Sequence, residues 1–170
     1  MTKATGAIFA VHFRRRRQGR TDFNKRLAQL KSGKTRMIVR KTNRYVIVSF
    51  ADFDLKGDKA IVSCSSKALV KLGYPGKCNT PSAYLTGLLC GKAAKQKGVS
   101  EAVLDIGRHS ATKGGVLFAA MKGALDAGIK IPYSEDILPD VGRISGKHIK
   151  GDASGKFEDC KGKIMVPNRE

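Results

Sequence analysis

Four consecutive arginines, Arg14-Arg15-Arg16-Arg17, followed by Gln18-Gly19-Arg20, carry the most pronounced chemistry in this chain. An arginine presents a planar fork that grips a phosphate at two points, so a run made only of arginine points to a polyanion more than to a solvated face. The basic character continues through Lys25, Arg26, Lys31, Lys34, Arg36, Arg40, Lys41 and Arg44. Residues 1–44 hold 14 Lys or Arg against one acid, Asp22, a net of +13; residues 45–170 hold 19 against 13, a net of +6. Charge concentrated in this way repels itself in a free monomer, and nucleic acid is the partner that relieves it. An anionic membrane surface would need a basic amphipathic helix with bulky apolar anchors, and the basic stretch has no such face. Arginine-rich segments commonly order on their RNA or DNA, and the same is expected of this arm.

Other constellations fall short of catalysis. Gly33-Lys34-Thr35 matches the end of a phosphate-cradling P-loop, but Ala28 stands where its first glycine should be. Gly107-Arg108-His109-Ser110 groups an Arg, a His and a Ser after a strand, without the Gly-x-Ser-x-Gly elbow of a hydrolase. A polar loop touching an RNA backbone through Arg108 and Lys113 suits it better. Asp52, Asp54 and Asp105 are the plausible acids for a metal-dependent nuclease, with no further acidic motif beside them. Cysteines 64, 78, 90 and 160 form no C-x-x-C pair, and His12, His109 and His148 lie far from them in sequence, so neither a zinc site nor another cofactor is expected. Phe13, Phe23 and Tyr45 interleave with the basic residues but lack the strand alternation of a base-stacking platform, which favours structured RNA read by backbone and shape.

The elements that must position these residues are legible in outline. A length of 170 residues suits one domain with an added arm or tail. No apolar run approaches the roughly 18 residues of a spanning helix, and no signal-type segment is seen, so the chain reads as soluble and intracellular, with no membrane partner. Thr21-Asp22 opens a short helix through Leu30. Met37–Val39 and Tyr45–Phe50 read as strands joined by a basic hairpin tip at residues 40–44, and Ala60–Cys64 as a third strand. Ser66–Leu72 reads as a short helix stopped by Gly73. Asn79-Thr80-Pro81 opens a long helix to about Lys97, with Thr80 as its cap. Ala102–Ile106 is a fourth strand, Val116–Ala127 a helix, and Ile129–Ile131 a last short strand. A docked loop with one helical turn, then a mobile tail, should follow. The order β-β-β-α-β-α-β implies an α/β fold: a mixed β-sheet, antiparallel meander plus βαβα, with packed helices after a basic N-terminal arm. The expected division is an arm and short helix at 1–33, an α/β RNA-binding domain at 34–150 and a C-terminal tail at 151–170.

An ordered set of motifs then points to a family. These are Phe13-Arg14-Arg15-Arg16-Arg17-Gln18-Gly19-Arg20-Thr21-Asp22, Arg26-Leu27-Ala28-Gln29-Leu30-Lys31-Ser32-Gly33-Lys34, Val39-Arg40-Lys41-Thr42-Asn43 and Asn79-Thr80-Pro81-Ser82-Ala83-Tyr84-Leu85-Thr86-Gly87. Ala102-Val103-Leu104-Asp105-Ile106-Gly107 and Gly123-Ala124-Leu125-Asp126-Ala127-Gly128 complete it. From about Phe13 to His148 the chain resembles the large-subunit ribosomal proteins of the L-eighteen family, the 5S rRNA binders, and their archaeal branch in particular.

The resemblance implies a structural protein without catalysis or cofactor, located on the ribosome in the cytoplasm. Its partners would be 5S rRNA, large-subunit rRNA in the central protuberance and a neighbouring 5S-binding ribosomal protein, with no small-molecule substrate. Carried over by position, Arg14, Arg15, Arg16, Arg17, Arg20, Thr21, Lys25 and Arg26 would contact RNA, as would Arg40, Lys41, Asn43 and Arg44. Asn79 and Thr80 would offer a helix N-terminus to a phosphate. Lys31, Lys34, Arg36, Arg108 and Lys113 join them as basic candidates. Residues Met1–Val11 are more apolar than the family pattern, and the segment after Lys150 matches it only loosely. Two alternatives stay open on the residues alone: a nuclease using Asp52, Asp54 and Asp105, and a general nucleic-acid-binding protein.

Overall fold

The computed structural model describes residues 6–149 and 153–165. Its arm contains one helical turn, α1 (Arg14–Arg17), and then α2 (Phe23–Leu30). Asp22 rather than Thr21 caps α2, its Oδ1 accepting from the backbone N–H of Asn24 (3.1 Å) and Lys25 (3.2 Å). That satisfies amide groups which the first turn of a helix leaves without partners.

Strands β1 (Arg36–Lys41), β2 (Val46–Asp52) and β3 (Lys59–Ser65) form the antiparallel meander. The fourth, β4 (Val103–Asp105), pairs parallel to β1, giving the order β3-β2-β1-β4 and the mixed sheet that was expected. The hairpin tip is narrower than its sequence suggests. β1 runs on through Arg40 and Lys41, and Thr42 closes the turn on Tyr45 with its backbone and hydroxyl. The last short strand reduces to one bridge, Glu101 with Lys130.

Alternation along the strands decides which face is apolar. Met37, Val39, Val46, Val48 and Phe50 are fully buried on one face, covered by α3 (Thr80–Gln96) and α4 (Val116–Asp126). Arg36 and Arg40 alternate with them and so belong to the other face, towards α2. Helix α3 is buried around most of its surface and packs closely on α4. Its cap is Asn79, whose Oδ1 accepts from Ser82 N (3.0 Å), with Thr80 and Pro81 as the first helical residues, so the expected Thr80 cap is displaced by one position. A Cβ on Gly87 would collide with the carbonyl of Ala120, and one on Gly123 with that of Tyr84. Small residues at these two points therefore set the α3–α4 separation.

A 3-10 turn at Ser66–Leu72 ends on Gly73. The connection after Pro132 holds a 3-10 turn and the single-turn helix α5 (Val141–Ile144). The segment expected as a mobile tail is instead helix α6 (Ala153–Met165), docked on the core. Phe157, Cys160 and Ile164 recur at helical spacing and are buried, with the Phe157 ring 5.6 Å from Tyr84. Lys92 Nζ donates to the carbonyls of Ile164 and Met165, both at 2.7 Å, where the helix dipole favours a cation. The remainder of that expected tail, and the first five residues of the arm, lie outside the described residues. Among the described residues no helix is long and apolar enough to cross a membrane.

Candidate nucleic-acid interface

Three separate stretches of chain converge beside the β1–β4 pair: the arm with the start of α2, Arg40 on β1, and the loop 106–109 after β4. Between them runs a groove of about 420 Å³ walled by Arg15, Arg20, Lys25, Arg26, Arg40, Arg108 and His109. A second hollow of about 330 Å³ adjoins it, with Arg16, Lys25 and Arg108 in its wall. Asp22 and Asp105 are the acids in these walls. Such a concave, cation-lined surface concentrates positive potential and fits a phosphate backbone.

Local contacts fold the arm back on the start of α2. Arg15 Nε donates to Thr21 Oγ1 at 2.8 Å, and the rings of Phe13 and Phe23 lie 6.2 Å apart. Helix α2 is anchored by Gln29 Nε2 donating to the carbonyl of Leu104 (3.1 Å) and by Arg26 Nη2 donating to both oxygens of Asp58 (2.8 and 3.0 Å). Asp58 also faces Arg36, whose Nη2 lies 2.7 Å from Oδ1. Burial pushes the Asp58 carboxyl up, but Arg36 and then Arg26 outweigh it and hold it below its ordinary value.

Arg40 is pinned more firmly. Its Nη1 donates to the carbonyls of Asp105 (2.7 Å) and Val39 (2.9 Å), and its Nη2 to Asp105 Oδ1 (3.1 Å). Beside it, His109 Nε2 accepts from the backbone N–H of Lys41 at 3.3 Å. Burial, followed by the charges of Arg40 and Lys41, lowers the His109 pKa, so the ring is a neutral acceptor at neutral pH.

The candidates from sequence divide by position. Arg15, Arg16, Arg20, Thr21, Lys25, Arg26, Arg40 and Arg108 line the two hollows. Arg14 and Arg17 are exposed on the same helical turn, and Lys31 is exposed just after α2. Lys41, Asn43 and Arg44 are exposed at and beside the hairpin tip, and Lys113 in the loop before α4. Lys34 points elsewhere, paired with Glu101 at 2.7 Å. Arg36 departs from the surface role expected of it: it is 1 % exposed and held between Asp58 and Asp105, which makes it a strut under α2. Thr80 is buried and Asn79 half-buried, with the Asn79 side chain spent on the cap.

The sequence reading gave His109 no binding role and named Asp105 only as an acid of the alternative nuclease reading. The glycine-basic loop after a short strand was the available signal for both. Asp105 is taken up by Arg36, Arg40 and the Gly107 N–H, and Asp52 Oδ1 accepts from Thr35 Oγ1 at 2.7 Å. Among the described residues no three His, Cys, Asp or Glu side chains come together to hold a metal.

A sheet covered by helices on one face, with an arginine-walled groove beside the other, defines a basic α/β protein built to face a polyanion. The family model described as "Ribosomal large subunit proteins 60S L5, and 50S L18" matches residues 7–100 and 93–134. The large ribosomal subunit protein uL18 of Korarchaeum cryptofilum is 57% identical over 147 residues, 86% of this chain and 75% of its own length. That of Methanococcus maripaludis is 52% identical over 158 residues, covering 92% and 82%, and that of Methanoregula boonei 50% over 147 residues, covering 86% and 84%. The chain belongs to this family of large-subunit ribosomal proteins. It is a structural constituent of the ribosome with rRNA as its partner, and not an enzyme.

Proposed function

We propose that this protein binds 5S rRNA and attaches it to large-subunit rRNA in the central protuberance, beside a neighbouring 5S-binding ribosomal protein. The observation that carries the reading is the convergence of Arg15, Arg16, Arg20, Lys25, Arg40 and Arg108, from stretches far apart in sequence, on two adjoining hollows. Those arginines and Lys25 grip phosphates, while Arg14, Arg17 and the hairpin-tip residues Lys41, Asn43 and Arg44 extend the contact. Phosphate contacts set register and most of the affinity; the shape of the folded RNA supplies selectivity.

The test is binding to purified 5S rRNA, with tRNA and duplex DNA as competitors, at physiological salt. Preference for 5S rRNA by orders of magnitude supports the reading. Equal binding of all three, released together as salt rises, leaves only counterion release and defeats it.

A further inference from the structure

Asp105 is a carboxylate in the wall of a groove made of cations. On charge alone it opposes phosphate binding. Its bonds show another effect. The side chain is 9 % exposed, and Oδ1 accepts from Gly107 N at 2.8 Å and from Arg40 Nη2 at 3.1 Å. Its main-chain carbonyl accepts from Arg40 Nη1 at 2.7 Å, and Oδ2 lies 3.4 Å from Arg36 Nη1. One residue therefore fixes the plane of the Arg40 guanidinium and closes the turn from which Arg108 and His109 project.

Gly107 completes the arrangement. Its φ of +61° is the left-handed conformation that favours glycine, and a Cβ there would lie 2.9 Å from Arg40 Cζ. The guanidinium thus rests directly over the glycine. A long side chain loses rotamer freedom when it grips a phosphate, and one held in place beforehand loses less.

We propose that Asp105 is a positioning residue of the RNA-binding groove, holding Arg40 and the Arg108–His109 loop in phosphate-gripping geometry before RNA arrives. The proposal rests on the RNA-binding reading above. It inverts the expectation from charge: removing this acid weakens RNA binding although the protein becomes more positive.

The experiment compares full-length wild type, Asp105→Asn, Arg40→Lys, Arg40→Gln and the Asp105→Asn/Arg40→Gln double variant. RNA affinity is read on 5S rRNA across a salt series, with folding checked by circular dichroism. Asp105→Asn should weaken binding about tenfold, the loss of roughly one charge-assisted contact, and make the salt slope shallower by about one. Arg40→Lys keeps the charge but not the fork, and should lose nearly as much as Arg40→Gln. The double variant should lose less than the sum of the two single losses, because both remove the positioned Arg40 contact, the remainder being the share of Asp105 that acts through the Arg108–His109 turn.

Unchanged or tighter binding by folded Asp105→Asn overturns the proposal, as does wild-type affinity in Arg40→Lys. Should Asp105→Asn fail to fold, the two Arg40 variants decide. Equal binding of tRNA would sink the 5S reading alone, since the variants are then compared on whichever RNA binds; absence of any RNA binding would sink both.

Discussion

Arg36 Nη2 and Asp58 Oδ1 lie 2.7 Å apart, the arginine buried on β1 and the aspartate in the turn between β2 and β3. The same Asp58 oxygen takes Arg26 from α2 at 2.8 Å. A single carboxylate thus joins the helix that follows the basic arm to the sheet beneath it. Asp58→Ala removes one of the two carboxylates that face the buried Arg36, Asp105 being the other, together with the tie to Arg26. Losing these charge-assisted contacts should cost about 2 kcal/mol in urea unfolding.

Asp58 also shapes the acid limb. Its folded pKa is lowered from 3.8, so its contribution to stability is present above that value and is lost as pH falls through the lower folded one. Acid unfolding of wild type should therefore show a loss below pH 3.8 that Asp58→Asn lacks. Identical acid limbs would refute the assignment.

His109 carries a second pH dependence. Its folded pKa lies below 6.5, so the neutral ring contributes stability above 6.5, and that share is lost as pH falls from there towards the folded value. An NMR titration of the free protein should place the His109 midpoint below 6.5, and bound RNA phosphates should raise it. A midpoint that RNA leaves unmoved would put His109 outside the contact surface.

The α3–α4 contact offers a variant remote from the groove. Gly87→Ala forces a methyl against the Ala120 carbonyl, and overpacking of this kind costs about 1–3 kcal/mol. Thermal unfolding should detect that loss, while the folded fraction keeps wild-type RNA affinity.

Docking of α6 can be tested in the same way. Phe157 is 2 % exposed against Tyr84, and Phe157→Ala should cost about 3 kcal/mol. A loss below about half a kcal/mol, the range of ordinary surface substitutions, would return this segment to the mobile tail expected from its sequence.

The β-branched runs Met37–Val39 and Tyr45–Phe50 and the Asn79-Thr80-Pro81 helix start were legible because each is local. Arg36 was grouped with the exposed cations because it lies within the basic stretch of residues 1–44; its burial depends on Asp58 and Asp105, which are distant in the chain. Helix α6 was missed although Phe157, Cys160 and Ile164 share a helical face, because Gly155, Gly162 and the balanced charge of residues 151–170 look like a tail. The arginines themselves were plain in the sequence. Their groove was not, because it needs Arg15 and Arg20 to meet Arg108 across about ninety residues, a closure that only the assembled sheet provides.

The most direct test of the account is the salt dependence of 5S rRNA binding by wild type and by an Arg15→Gln/Arg20→Gln/Arg108→Gln variant. Three lost phosphate contacts should flatten the slope of log affinity against log salt by about 2 and weaken binding at every salt concentration, with the fold intact. An unchanged slope in the folded variant would contradict the groove as the RNA-binding site.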